Sequence, residues 1–473
     1  MNGRFRGLGV SALGIFVVAA LAACSGADQA SVEDVPLGPV QDQGVMESAL
    51  EADVQQAPDS EGAASTPSRD GFAAPAPLAA CAAVVDPARE LVIRHLGAVN
   101  DAARTTWTGG TATTKDGAWS FGRLMTNMAG ANDPQLFVRG WLSRWETNRV
   151  VNTFTTPART QIRSSVINTW PKDAAGKLDL RKAPLRLLAI ANRMDLRQLS
   201  AGNAGEGRFL FGVTDAAGNP LSFTVILEYK LPATTAAEAQ TWAQQWHALG
   251  ALPIGTAAEQ AKFNAALQEI TDRFAGKNAA PTKINGSSIG QVRTNEITLA
   301  APWELREFRL SSTGQLVQST TAQTPDSSLL NDARTGRFIN TNQTAILGGR
   351  HVVPLAFEAL AFRGGSAPTD FTTIWNPANA TDKTARHLFS VNTCNGCHGG
   401  ETSTTFLHVA PRAKTSVAAL STFMTGKTVR DPVSGVTRTF SDLSRRKIDL
   451  QNFLCPPPAG SAEGEEPSIN RVH

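Results

Sequence analysis

Three stretches decide the fold: Leu185-Arg186-Leu187-Leu188-Ala189-Ile190, Arg208-Phe209-Leu210-Phe211-Gly212-Val213 and Phe223-Thr224-Val225-Ile226-Leu227-Glu228-Tyr229. Each is a short run of apolar, β-branched and aromatic residues, the make-up of a strand. The last two flank Ala216-Ala217-Gly218-Asn219, a turn signal that joins them as a hairpin. On either side the period lengthens. Upstream, Asp86-Pro87 opens a helix with proline in its first turn. Asn132-Asp133-Pro134 opens a second, through Phe137, Trp141 and Trp145 toward Val150, and Pro157 to Trp170 reads as a third. Downstream, helices are expected at Ala236–Leu249 and Ala257–Phe274, then strands near Gln291–Leu299 and Glu304–Leu310. Strands in runs between helices predict a large mixed helix/antiparallel-strand domain of the α+β class over 81–375.

Composition narrows the classes. The chain has 473 residues, 42% apolar and 18% charged, which excludes wholesale disorder and collagen-like structure. Beyond residue 25 no apolar run approaches the ~20 residues of a membrane-spanning helix. The net charge of +3 is unevenly spread: 1–24 carry Arg4 and Arg6 and no acid, whereas 25–80 carry ten acids against one arginine. A basic body therefore follows an acidic tether. Its positive charges are scattered, so nucleic acid is not expected as a partner. One polar cluster, Asn192-Arg193-Met194-Asp195-Leu196-Arg197 with Gly205-Glu206-Gly207-Arg208, reads either as a carboxylate- or sugar-binding cleft or as ion pairs at strand ends. Ion pairs are the favoured reading, because nothing fixes a nucleophile or an acid–base pair. No P-loop, G-x-S-x-G, H-E-x-x-H or dinucleotide fingerprint occurs, and no catalytic residue is assigned.

The five cysteines divide by context: Cys24, Cys81, Cys394, Cys397 and Cys455. Arg4 and Arg6 precede an uncharged apolar stretch from Leu8 to Ala23, the pattern of a signal peptide over 1–23. Its end, Leu21-Ala22-Ala23-Cys24, resembles the lipobox of bacterial lipoproteins. That resemblance implies lipidation of Cys24 and attachment to the membrane through the lipid anchor. Ser25, in place of Asp, resembles the outer-membrane sorting pattern, which implies a cell-envelope location facing the periplasm or the cell surface. Residues 24–80, rich in Ala, Ser, Gly, Pro and acids, read as a disordered linker, and 459–473 as a second disordered tail. Cys81 and Cys455 remain as an even remainder in an oxidising compartment, so a disulfide between them is expected.

Cys394-Asn395-Gly396-Cys397-His398 is the most specific motif. Two thiols three residues apart lie on one turn, where both can form thioethers to the haem vinyl groups, and the adjacent imidazole is placed as an axial ligand. Asp382 to Phe389 reads as a short helix with Asp382 as N-cap, and Phe440 to Leu454 as an amphipathic one. Together with Leu388-Phe389 just before the motif, these resemble the N- and C-terminal helices of class I c-type cytochromes. Over 380–458 the resemblance implies a small all-α cytochrome c-like domain. It further implies one covalent haem c on Cys394, Cys397 and His398, and electron transfer with an unidentified redox partner rather than self-contained enzymology. No Gly-x-Met-Pro segment occurs, so the distal ligand is His408, Met424 or none. His408 is preferred, because Met424 shares an i, i+3, i+4 packing pattern with Leu420 and Phe423.

Three alternatives stay open: a Cys2His2 zinc site from Cys394, Cys397, His387 and His408 on a binding or scaffold lipoprotein; a redox disulfide; and an enzyme in 81–375 coupled to the haem. His95, on an expected helix face, and His247 read as structural. The chain as a whole also resembles uncharacterised haem-motif lipoproteins of Gram-negative bacteria, through Gly205–Phe209, Phe223–Tyr229 and Cys394–Thr402, a likeness that adds no activity.

Overall fold

The computed structural model describes residues 83–110, 113–370 and 372–456. The expected signal peptide, linker and C-terminal tail, with Cys24 and Cys81, lie outside the described residues. Helix makes up 37% and strand 23%, so the fold is α+β. One eight-stranded antiparallel sheet organises it: β1 (Val92–Ile93), β2 (Leu185–Arg193), β3 (Asn203–Thr214), β4 (Pro220–Pro232), β5 (Ile289–Glu296), β6 (Trp303–Leu310), β7 (Leu316–Ser319) and β8 (Ala367–Thr369). The order is β1-β2-β3-β4-β5-β6-β8, with β7 also paired to β6. The three fold-deciding stretches are the interior of β2, β3 and β4. Their hairpin closes where the Asp215 carboxylate accepts from the Asn219 amide at 2.8 Å and Gly218 takes φ +82°, a conformation that favours glycine.

Four helices cover one face: α1 (Phe121–Ala129), α2 (Pro134–Leu142), α3 (Ala236–Ala248) and α4 (Ala257–Ala275). Local chemistry starts them. Asp133 caps α2 ahead of Pro134, accepting from the amides of Gln135 and Leu136. Capping boxes, Thr235 with Glu238 and Thr256 with Glu259, open α3 and α4. Where the expected helices fall short, the cause is also local. Pro157 to Trp170 yields only one wide turn, Arg163–Ile167. There the Thr169 hydroxyl donates to the Ser165 and Val166 carbonyls, and the β-branched Val166 and Ile167 favour helix poorly. The second helix ends at Leu142 and continues as a tighter turn to Trp145. His95 is not on a helix face: Val92 and Ile93 pair with Ala191 and Ile190, and His95 precedes a short turn at Leu96–Val99.

The pleat separates two sets of side chains. Phe209, Phe211, Leu227, Tyr229, Val292 and Phe308 point to the helices, where Phe211 meets Phe121 at 5.5 Å and Phe274 of α4 lies 5.7 Å from Tyr229. The other face carries Arg208, Leu210, Thr224, Ile226, Glu228, Arg293, Asn295 and Glu307. The C-terminal part of the chain meets it: Cys394 of the single turn Cys394–Cys397 packs with Trp303 and Leu305, and His398, His408, Phe423 and the start of α7 (Asp442–Leu454) line a cavity against it. The helix α6 (Lys383–Asn392) leads into that turn, with α5 (Ala333–Thr341) packed beside it.

The region 380–456 is not all-α, because Lys427–Arg430 and Thr437–Phe440 form an antiparallel ribbon. β-branched residues at 428, 429, 437 and 439 suit that geometry, and Gly435 at φ +73° serves its turn. Val391, Cys397, Val409, Phe423 and Leu450 belong to the same hydrophobic core as the sheet, and residues 83–456 lie in one compact unit. Arg412 fastens the layers. Its guanidinium donates to the Leu187 carbonyl at 2.9 and 3.1 Å, to the Val99 carbonyl at 3.2 Å and to Asn100 Oδ1 at 2.7 Å. No helix among the described residues is long and apolar enough to cross a membrane.

Candidate functional site

The Cys394–Cys397 turn is fixed on all sides. Thr393 caps it by accepting from the Gly396 amide at 3.1 Å, and the Cys397 and His398 amides donate to the carbonyls of Thr393 and Cys394. Gly396 has a steric cause: a Cβ there would sit 2.0 Å from the Ser390 carbonyl oxygen at the end of α6. Asn395 is anchored by the Trp375 indole N–H at 2.8 Å. Both cysteines are free thiols and fully buried. Burial pushes the Cys394 thiol up to about 11, with Arg293 pulling the other way.

His398 follows the turn and is held from two directions. Trp303 of β6 stacks on its ring at 4.8 Å and also lies parallel to the Phe406 ring at 6.2 Å. His398 Nδ1 lies 2.5 Å from the Phe406 carbonyl oxygen, so it carries the hydrogen of that bond. Phe406 itself adopts φ +62°, a strained conformation that belongs to the loop presenting this carbonyl. Burial lowers His398 to about 4, which keeps the ring neutral. A neutral imidazole with Nδ1–H engaged by a carbonyl leaves Nε2 as a lone-pair donor, the orientation that metal-ligating histidines use.

His408 reaches the same place from the next segment. Its Nδ1 is 2.9 Å from Ser421 Oγ, its Nε2 is 3.4 Å from Cys397 Sγ, and the two imidazole centroids are 4.2 Å apart. Burial, with His398 and Arg446 nearby, holds it well below its ordinary value. Met424 also borders this space, on a short turn packed beneath Phe423.

The space is a small cavity of about 70 Å³ between the charged sheet face and the C-terminal layer. Its lining mixes Val92, Ala191, Leu210, Ile226 and Leu305 with Arg193, Arg208, Arg293, Arg446, Glu228 and Asp442, and His398, His408 and Met424 border it. Apolar and charged residues alternate across the strands, Ala191 beside Arg208, Ile226 beside Arg293 and Leu305 beside Asn295.

The polar cluster read from sequence is thus ion-paired as expected. Arg193 clasps Asp195 at 2.8 and 3.1 Å, and Arg208 pairs with Glu206 at 2.5 Å and with Glu228 at 3.1 Å. Burial opposes ionisation of Asp195 and Glu206, but the arginines beside them prevail and hold both carboxyls well below the usual range. Glu228, fully buried, is shifted upward by that burial despite Arg208 and Arg293. Arg193 and Arg208 also line the cavity, a convergence the sequence reading missed. Arg293, Asn295, Trp303 and Leu305 were missed too. Their one signal was alternation: all four lie on the face opposite the Phe209–Phe308 set.

The two other histidine expectations resolve differently. His247 pairs with Glu90 at 2.8 Å and is structural. His387 bonds Glu401 through Nδ1, so among the described residues it does not join Cys394, Cys397 and His408 in a zinc tetrahedron. His387, Glu401 and Asp431 do cluster, but Arg386 bonds Glu401 at 2.6 and 2.8 Å and Asp431 at 2.8 Å. A guanidinium already neutralises those carboxylates. Cys455 is disulfide-bonded, while Cys81, its expected partner, lies outside the described residues.

The residue types are those that a covalently held haem uses: two thiols and an imidazole stand on one turn, and a second imidazole lies beside the first with its Nε2 3.4 Å from Cys397 Sγ. The enclosed space, about 70 Å³, is smaller than a porphyrin. No protein-family model, no curated protein and no solved structure matches the chain.

Proposed function

We propose that this chain is a monohaem c-type electron-transfer protein, with the thioethers at Cys394 and Cys397 and His398 as proximal ligand. The observation that carries the reading is the His398 Nδ1 bond to the Phe406 carbonyl, which commits the ring to ligation through Nε2 into the cavity. A bound haem supplies one-electron chemistry by cycling between Fe(II) and Fe(III). The rest is done by this chain. Trp303 and the Phe406 carbonyl hold the proximal ring, and Ser421 orients His408 as the distal candidate. Met424 remains packing in this reading. The expected lipid anchor at Cys24, the envelope location and the redox partner belong to the same proposal.

The test is a pyridine haemochrome assay on the full chain produced in a host with c-type maturation. One covalent haem per chain is expected, and none in the Cys394→Ser/Cys397→Ser variant. A wild-type chain without covalent haem overturns the reading.

A further inference from the structure

We infer that the open groove between the start of β4 and the 403–427 segment is a binding site for a small hydroxylated monocarboxylate of the sugar-acid class. The site goes beyond the electron-transfer reading and does not depend on it. The groove encloses about 490 Å³, inside the ~300–1,000 Å³ of ordinary ligand sites. Leu407 borders both this groove and the small histidine cavity, so the two spaces are neighbours of very different size.

The lining chooses the chemistry. Six of its fourteen residues are serine or threonine, and none is acidic or aromatic. Among the described residues, the hydroxyls of Ser222, Ser403, Thr405 and Thr422 make no hydrogen bond within the protein. A hydroxyl both donates and accepts, so these four match the hydroxyls of a sugar. Lys427 adds one positive charge. It is half-buried, donates to the Ser403 carbonyl at 2.5 Å and makes no ion pair among the described residues. An ammonium carries three donors, so the carbonyl leaves it able to meet a carboxylate, and such charge-assisted bonds are the strong ones. A single cation suits one carboxylate better than a dianion such as phosphate. Pro220, Leu221, Pro411 and Leu420 supply apolar surface for the C–H face of a ring.

Three distant parts of the chain build the walls, and each is tied down. The Ser222 carbonyl accepts from the Ile297 amide at 3.2 Å. Val409 bridges Leu420 in antiparallel fashion, with the Ala410 amide on the Ala419 carbonyl and the Ser421 amide on the His408 carbonyl, both at 2.9 Å. Arg412 pins the bend between them to Leu187 and Val99. The Lys427 bond to Ser403 closes the third wall. Walls set before a ligand arrives spare it the cost of ordering them.

The experiment is isothermal titration calorimetry on the full chain, with glucuronate as the probe and glucose, acetate and inorganic phosphate as comparisons. Glucuronate is expected to bind saturably and more tightly than all three. Lys427→Met should weaken it about tenfold or more, as loss of a charge-assisted bond does. Ala419→Trp, at an exposed lining residue, should abolish binding by filling the groove. No binding of glucuronate to the wild-type chain, or glucose or phosphate binding as tightly, overturns the site. So does unchanged affinity in Ala419→Trp, whether or not Lys427→Met folds. Covalent haem is measured on the same samples: its absence overturns the haem reading and leaves this site standing, and a failure of glucuronate to bind does the reverse.

Discussion

The two faces of the sheet are built from the same strands, one residue out of phase, yet they follow opposite rules. Toward the helices, Phe209, Phe211 and Phe308 interlock with Phe121, Trp141, Trp145 and Phe274, ring against ring at about 5–6 Å, as for Trp145 and Phe308 at 4.9 Å. Toward the C-terminal layer, buried arginines and carboxylates alternate around a cavity. Apolar packing is insensitive to which ring touches which, so long as volume is kept. A buried charge is sensitive to every partner. One face therefore holds the fold together and the other holds specific groups in position.

That contrast can be broken from the site side first. His398→Ala, expressed with maturation, should keep its thioethers and lose the low-spin spectrum entirely, the largest effect expected; an unaltered spectrum removes His398 from the iron. On the packed face, Trp145→Ala should cost about 3–5 kcal/mol in denaturant unfolding, as large aromatic truncations in cores do. A loss under 1 kcal/mol would mean that this face is not the fold's foundation.

Behind the cysteine turn the same question takes a pH form. His351 is buried, its Nδ1 lacks a partner, its Nε2 meets Asn392 at 3.3 Å, and burial lowers it to about 4. The unfolded chain takes up this proton near pH 6.5, its ordinary value, whereas the folded chain does so only near 4. Stability should therefore fall as pH drops from about 6.5 to 4, by about 3 kcal/mol at most, following proton linkage. His351→Phe should remove its share of that slope, with His398 and His408, which burial also lowers, keeping theirs, and a variant with the full wild-type slope rules His351 out as a source.

A double-mutant cycle on Arg208 and Glu228 should give a coupling of about 2 kcal/mol, as for contacting charged pairs. A coupling near zero would place the charged face on the same footing as the aromatic one. The smallest effect is expected from Met424→Leu, below about 1.5 kcal/mol for a volume-conserving swap, with an unchanged spectrum. A spectral shift there would move the distal ligand from His408 to Met424.

How far the sequence reaches follows from the range over which each signal acts. β2, β3 and β4, the capped helices α2, α3 and α4, and the Asp382-capped helix α6 are legible because their causes lie within a few residues: apolar runs, a Gly-Asn turn, an acid before a proline, a Thr with Glu three residues on. Pro157 to Trp170 misleads for the same reason, since apolar spacing suggests a helix that Thr169 and its β-branched neighbours undo. The cysteine turn and His398 are equally local. Arg293, Asn295 and Trp303 are not, because they meet His398 only after β5 and β6 are laid beside β4, and single-sequence patterning carries no register. The Asn192–Arg208 cluster shows the boundary: its ion pairs are local and readable, whereas its place beside His408 is long-range and was missed.

The complete burial of Cys394 and Cys397 has a consequence for timing. With Cys394 packed among Trp303, Leu305 and Ala367, and Cys397 in the main core with Val409 and Phe423, both thiols are out of reach of any modifying enzyme in the closed fold. On the reading proposed above, residues 383–456 must therefore remain swung away from the sheet until both sulfurs have reacted. Because this segment follows the strands in the chain, the sheet can be complete while the latch is still open. Closure, sealed by Arg412 across Leu187 and Val99, then becomes the last step of maturation, and a chain that closes early is locked out of it.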